Sequence, residues 1–173
     1  MKKEFIYIAL SVVGAFVISG CTASSSPGVD NLKRYNPNFV VDSDDRVNVS
    51  VTKDANVTMQ SYEQDRIAQK IEAKINELKV KNPSDNRADS YNLLVKIKKY
   101  NKGSAFARFM MAGLGSMVIE SHNSVTNATT GQKEAEFDVN KVFAWGGIYG
   151  GTTTIEDVEE GFAKGVAEAV TKK

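Results

Sequence analysis

Apolar and polar residues alternate in two segments of the chain, and this pattern predicts two β-strands. In residues 46–52, RVNVSVT, three valines share one face, and asparagine, serine and threonine share the other. In residues 91–100, YNLLVKIKKY, Tyr91 and three aliphatic residues share the apolar face, while Tyr100 falls on the other face with two lysines. A period of two indicates a half-buried strand, because successive side chains of a strand point to opposite faces of a sheet.

The segment 61–81 has the period of an amphipathic helix. Its apolar positions are Ile67, Ile71, Ile75 and Leu78. This spacing places the four side chains on one face of a helix. Ser61 and Gln64 match a capping box and predict that the helix begins there. Pro83 and the polar residues around it predict a loop after the helix.

The second half of the chain predicts a β-hairpin and a second helix. Residues 117–145 alternate moderately in polarity on both sides of a turn at 129–131. Residues 154–170 have a helical pattern, which begins with a capping box at Thr154 and Asp157. The order of elements predicts an α+β fold: a two-layer domain with a mostly antiparallel sheet and two amphipathic helices on one face.

The N-terminus has the pattern of a secretory signal peptide. Lys2 and Lys3 precede an uncharged, largely apolar run over 5–20, which is shorter than the roughly 20 residues of a membrane-spanning helix. Small residues then precede Cys21, the single cysteine of the chain. A buried N-terminal helix is the less favoured alternative.

The residues Ile18-Ser19-Gly20-Cys21 resemble the lipobox of bacterial lipoproteins. This resemblance implies cleavage between Gly20 and Cys21, a diacylglycerol thioether on Cys21, and an N-acyl chain on the new amine. Two or more lipid chains are what stable anchoring requires. In such lipoproteins an aspartate after the cysteine indicates inner-membrane retention, so Thr22 implies the outer membrane, with the head facing the periplasm.

These patterns divide the chain into three parts. Residues 1–20 are the lipoprotein signal peptide, and residues 39–173 are a single α+β periplasmic domain. Between them, residues 21–38 are rich in Ser, Gly, Asn and Pro, a composition typical of flexible linkers. This segment therefore predicts a lipidated tether.

Charge and composition exclude several classes of function. The chain carries a net charge of +1, and removal of residues 1–20, with two lysines and one glutamate, leaves it formally neutral. A neutral chain does not favour nucleic acid as a partner, because that binding depends on neutralising phosphates. One cysteine and one histidine, His122, exclude an internal disulfide and a Cys/His zinc site. We predict no metal and no cofactor besides the lipid on Cys21.

Catalytic chemistry has one weak candidate. His122 shares a strand face with Glu120 and Ser124, as a general base and a nucleophile would require. Any polar strand face has this composition, so a hydrogen-bonded strand histidine is the favoured interpretation. We therefore predict no catalytic residue and a protein that is not an enzyme.

Two segments are candidates for binding. Residues 106–117, FARFMMAGLGSM, place many apolar side chains around one charge; burial in the core is favoured, and exposure would mark an interaction surface. Residues 145–154, WGGIYGGTTT, read best as a flexible strand-to-helix connection, with an anion cradle as the alternative. The residues assigned to partner binding are Phe106, Arg108, Phe109, Trp145 and Tyr149. Core positions for the last two aromatics are about as well supported.

The second half of the chain resembles a family of uncharacterised bacterial lipoprotein domains, domain of unknown function 4410. The matching residues, between about 90 and 171, are Gly103, Arg108, Gly113, Gly115, Thr130, Gly131, Gly146, Gly147, Gly150, Gly151 and Ala163 to Val170. The family carries no agreed activity, so the resemblance implies an envelope lipoprotein with a small α+β head and supplies no catalytic residues.

The leading hypothesis is a lipid-anchored, non-enzymatic envelope lipoprotein whose head binds or scaffolds another envelope protein. The second is a self-assembling outer-membrane component for export or secretion, with residues 106–117 as the adhesive surface. A small periplasmic enzyme that uses His122, or an anion- or glycan-binding module at residues 145–154, remains a further alternative.

Overall fold

The computed structural model describes residues 26–80 and 88–172. The predicted cleavage and lipidation site, Gly20 and Cys21, lies outside this part of the chain. The elements are β1 (Gly28–Arg34), β2 (Arg46–Lys53), α1 (Ser61–Leu78), β3 (Ser90–Asn101), α2 (Ala105–Met110), β4 (Met117–Asn127), β5 (Lys133–Phe143), α3 (Gly147–Thr152) and α4 (Ile155–Thr171).

Within the described residues, the strands form one open sheet in the order β1-β5-β4-β3-β2. Every neighbouring pair is antiparallel except β2 and β3. Parallel neighbours need a crossover connection, and α1 supplies it. The long helices α1 and α4 pack against each other and over the sheet, and together they enclose the core. The predicted α+β fold with a mostly antiparallel sheet is confirmed.

The predicted tether extends too far along the chain. Residues 28–34 form the edge strand β1, whose Gly28 pairs with Asn140 and whose Arg34 pairs with Ala135. The Arg34 side chain also donates hydrogen bonds to the carbonyls of Ala169 and Lys172, near the end of α4. An edge strand with a mostly exposed surface needs no run of apolar residues, so its composition resembles that of a linker.

Two further predictions were wrong in detail. The ladder between β3 and β4 shifts register between Ile97 and Lys99, and this irregularity turns Tyr100 to the core, where it is 8% exposed. The capping box of α1 lies one residue earlier than predicted, between Gln60 and Glu63. The box at Thr154 and Asp157 is confirmed.

A buried ion pair joins the two long helices to the sheet. The carboxylate of Glu159 on α4 is fully buried and accepts two hydrogen bonds from Arg66 on α1, at 2.7 and 2.8 Å. It also accepts one from the hydroxyl of Tyr100 on β3, at 2.7 Å. Burial, with the bond to Glu159, raises the pKa of Tyr100, and the bonds to Glu159 raise the pKa of Arg66. This network fixes the positions of α1 and α4 relative to the sheet.

Candidate functional site

A buried arginine links two segments at one end of the sheet. Arg108 lies on α2 and is 2% exposed. Its guanidinium donates to the carbonyl of Gly115 at 2.8 Å, and across to the carbonyls of Gly150 at 2.8 Å and Thr153 at 3.1 Å. No carboxylate of the described residues forms an ion pair with it. The buried charge is therefore stabilised by backbone dipoles, as burial of an ionised group requires.

Two glycines of the family pattern make this arrangement sterically possible. Gly103 has a φ of 62°, and a Cβ placed there would lie 2.1 Å from the carbonyl oxygen of Gly115. Gly115 has a φ of 65°, and its own Cβ would lie 2.6 Å from the carbonyl oxygen of Ser104. The backbone amide of Ser104 donates a hydrogen bond to the carbonyl of Gly115, and this bond joins the two ends of the segment that contains α2.

The short helices α2 and α3 pack together and expose a continuous apolar area, which we call the apolar end surface. Its members are Phe106, Phe109, Met110, Met111, Leu114, Ile148 and Tyr149. Phe106 and Ile148 are each 75% exposed. Between the two helices lies an open groove of about 450 Å³, lined by Phe106, Phe109 and Ile148 among others.

The expectation that residues 106–117 are buried was wrong for most of the segment. Met117 does enter the core, because it begins β4 and is 0% exposed. The helix α2 has only six residues, and Arg108 occupies its buried side. The remaining large side chains of the segment therefore point outward.

The five residues predicted to bind a partner have different positions. Phe106, Phe109 and Tyr149 belong to the apolar end surface, and Trp145 lies beside it, partly buried, with its ring 5.9 Å from that of Tyr149. Arg108 is instead buried beneath the surface, so the prediction that its side chain contacts a partner was wrong. Its hydrogen bonds to backbone carbonyls instead hold α2 and α3 together.

Four members of the apolar end surface were not assigned individually from the sequence: Met110, Met111, Leu114 and Ile148. The distribution of charged residues along the sequence does indicate these positions. Residues 103–119 and 142–155 contain one charged residue between them, Arg108. Uncharged stretches of this length are unusual in surface loops, and here they meet at the same end of the sheet.

The glycine-rich segment 145–154, interpreted from the sequence as a strand-to-helix connection, contains a short helix of its own. Residues 147–152 form α3, and the carbonyls of Gly150 and Thr153 accept hydrogen bonds from Arg108. A Cβ on Gly150 would lie 3.2 Å from the Cβ of Arg108. The glycines thus serve the close approach of α2 and α3.

His122 faces the open side of the sheet. Its Nδ1 lies 2.8 Å from a carboxylate oxygen of Asp138, and its Nε2 lies 4.0 Å from one of Glu136. Although desolvation opposes the shift, hydrogen bonds from Asn31 and His122 lower the pKa of Asp138. Ser124 shares the face but is not hydrogen-bonded to the ring, and Glu120 lies 3.4 Å from Lys99. The structure therefore pairs His122 with carboxylates of β5 rather than with a nucleophile.

Two features are absent from residues 26–80 and 88–172. In that part of the chain, no cluster of three or more His, Cys, Asp or Glu side chains is arranged to hold a metal ion. None of its helices is long and apolar enough to cross a membrane.

Comparison with known proteins identifies a family and a shared fold. The family model described as Domain of unknown function (DUF4410) matches residues 33–147. A variant of the PelC dodecamer from Paraburkholderia phytofirmans is 11% identical, with a TM-score of 0.55, over 85% of this chain and 99% of that one. A second crystal form of the PelC dodecamer is 10% identical over the same shares, also with a TM-score of 0.55. No curated protein matches the sequence. At these identities the likeness to PelC shows the fold alone.

The first testable prediction concerns Gly103, with Gly113 as its matched control. Both have a positive φ, but the space around a Cβ on Gly113 is open to 4 Å. We expect Gly113→Ala to lower the free energy of unfolding by about 1 kcal/mol, the cost of the backbone conformation. Gly103→Ala should cost about 2 kcal/mol more, because its Cβ overlaps the Gly115 carbonyl. Urea denaturation of both variants measures the difference, and equal losses would contradict the packing described.

Proposed function

The chain belongs to the family described as domain of unknown function 4410, and from this premise we propose that it is a lipid-anchored lipoprotein of the bacterial cell envelope. Its head is non-enzymatic and works by binding, either to another envelope protein or to further copies of itself. The observation that supports the proposed lipid anchor is the lipobox that ends at Cys21. The outer membrane, with the head in the periplasm, is the location that Thr22 supports.

The contacts of the polar sheet face support a head that binds rather than catalyses. His122 is held between the carboxylates of Asp138 and Glu136. A general base for nucleophilic catalysis needs a hydroxyl or thiol within hydrogen-bond reach. On the described face, the ring instead contacts carboxylates of the neighbouring strand, and cross-strand pairs of polar side chains are a common stabilising element of exposed sheets.

Self-association is favoured by the fold comparison. The two PelC structures that share this fold are dodecamers, and the match spans 99% of the PelC chain in each. Because almost the whole PelC chain is matched, the two folds have similar sheet edges and faces through which copies could contact each other. We therefore propose self-association for this chain as well.

The β2 edge of the sheet supplies a surface for it. Among the described residues, β2 pairs with β3 on one side and with no strand on the other. The backbone amides of Arg46 and Asp54 donate hydrogen bonds to β3 or the residue before it. In a parallel ladder, alternate residues of a strand bond to the same neighbour. The backbone groups of Val47, Val49 and Val51 therefore point away from β3, toward the open edge. One of these amides, that of Val49, is capped by Glu72 at 3.3 Å. Unpaired backbone groups at a sheet edge favour pairing with another chain.

The lipid anchor is tested by labelled palmitate incorporation in bacterial cells. Wild-type protein should take up label, and Cys21→Ala should take up none and remain as unprocessed precursor. Ser24→Ala is the control, because it lies in the same segment and leaves the thiol in place. Label on Cys21→Ala, or wild-type protein that is made without label, would contradict the anchor.

Self-association through β2 is tested by sedimentation of the full lipidated chain in mild detergent. Val51→Pro removes an outward amide and leaves the pairing with β3 intact, so it should reduce the assembly to monomers. Val51→Thr keeps the amide and a similar shape, and should sediment like wild type. A monomeric wild type at tens of micromolar would refute self-association, and assemblies that survive Val51→Pro would exclude this edge.

A further inference from the structure

The apolar end surface lies at the end of the head where the tether enters. Ser26, at the start of the described chain, shares a surface depression with Asn140 and Val142 on β5. The strand β5 ends at Phe143, and α3 begins four residues later at Gly147. The same end of the sheet holds the start of β4 at Met117, which pairs with Phe143 and follows α2. The tether and the apolar end surface are therefore neighbours.

The tether is short compared with the head. Four residues lie between Cys21 and Ser26, so the chain makes five steps of at most about 3.6 Å each when fully extended, or about 18 Å. The strand β4 has 11 residues, so the opposite end of the sheet is about 30 Å further away at roughly 3.3 Å per residue. A lipid on Cys21 therefore keeps the apolar end surface close to the bilayer, and the hairpin turn at 128–132 far from it.

The segments that form the apolar end surface are themselves almost free of charge, although Lys102 lies at its border, paired with Glu63. Arg108 is the one charged residue in 103–119 and 142–155, and its guanidinium is buried against carbonyls. The end surface therefore exposes apolar and aromatic side chains without a charge from either segment. The opposite end carries the charged residues Asp42, Asp44, Asp45, Lys79 and Asp89 around the start of β2 and β3. An apolar surface that includes Tyr149 and has Trp145 beside it matches the chemistry of a membrane interface.

We propose that the apolar end surface rests on the bilayer that holds the Cys21 lipid, with Phe106, Met110 and Ile148 in contact with the headgroup and upper acyl region. This inference rests on the proposed lipid anchor. The occupant is the lipid surface rather than a second copy, because a head about 30 Å long does not fit within the roughly 18 Å that the tether allows beneath this end. Seated in this way, the head presents its sheet edges to neighbours in the plane of the membrane.

The test uses the full lipidated chain in phosphatidylethanolamine–phosphatidylglycerol vesicles. Because the thioether occupies Cys21, a cysteine introduced by Met110→Cys is the one free thiol and takes an environment-sensitive fluorophore. Val80→Cys is the matched control: Val80 is 75% exposed and follows α1 near Asp45, at the opposite end. Leu114→Cys provides a second, independent position on the end surface. Lipids with a nitroxide high on the acyl chain and aqueous iodide serve as the two quenchers.

Lipid-borne nitroxide should quench the fluorophores at positions 110 and 114 several-fold more than at position 80, and iodide should show the reverse order. Equal exposure to iodide at all three positions, with the protein still floating with the vesicles, would overturn the inference and leave the anchor intact. Protection of positions 110 and 114 from both quenchers would overturn it in favour of a protein partner. Protein that does not float with the vesicles would refute the anchor and the inference together.

Discussion

The buried guanidinium of Arg108 is the constraint on which the apolar end of this protein depends. Its hydrogen bonds join α2 to the carbonyls of Gly150 and Thr153, which lie 42 and 45 positions further along the chain. A buried charge without such partners is strongly unfavourable, so the two short helices must stay together. Helices of six residues are not stable alone, because their few internal hydrogen bonds do not offset nucleation. The arginine therefore determines which side chains of α2 and α3 face outward.

The rest of the molecule gives this end a fixed orientation. The Glu159 network holds α1 and α4 on the sheet, and the β1 strand brings the start of the described chain to the end of β5. The result is a head with two unlike ends, one of which presents the apolar end surface close to the start of the described chain. In the proposed arrangement, the lipid on Cys21 and the apolar end surface act together, since the anchor would raise the local concentration of that surface at the bilayer.

The long elements could be predicted because periodicity reflects burial directly. The isoleucines of α1, the alternating strand β3 and the hairpin of β4 and β5 each have one buried face. The strand β1 could not be predicted, because it pairs at an edge through backbone bonds that leave little trace in composition. Tyr100 was assigned to the wrong face, because the irregularity after Ile97 depends on the partner strand. At the site, Phe106, Phe109 and Tyr149 are exposed on one surface, as partner binding would require, and their role in binding stays a prediction. The buried position of Arg108 could not be predicted, because it depends on carbonyls far along the chain.

Hydrogen exchange of Arg108→Gln tests the central claim most directly, with Arg46→Gln, the same change at an exposed position, as the control. The amides of Met111 and Gly113 bond to Ala107 and Ala144 within the region that Arg108 holds. Hydrogen bonds to a buried charged group contribute about 1.5–3 kcal/mol, so these amides should exchange at least about tenfold faster in Arg108→Gln. Amides in the centre of β3 and β4 should keep their protection. Unchanged exchange at Met111 and Gly113, in a variant that remains folded, would contradict the account.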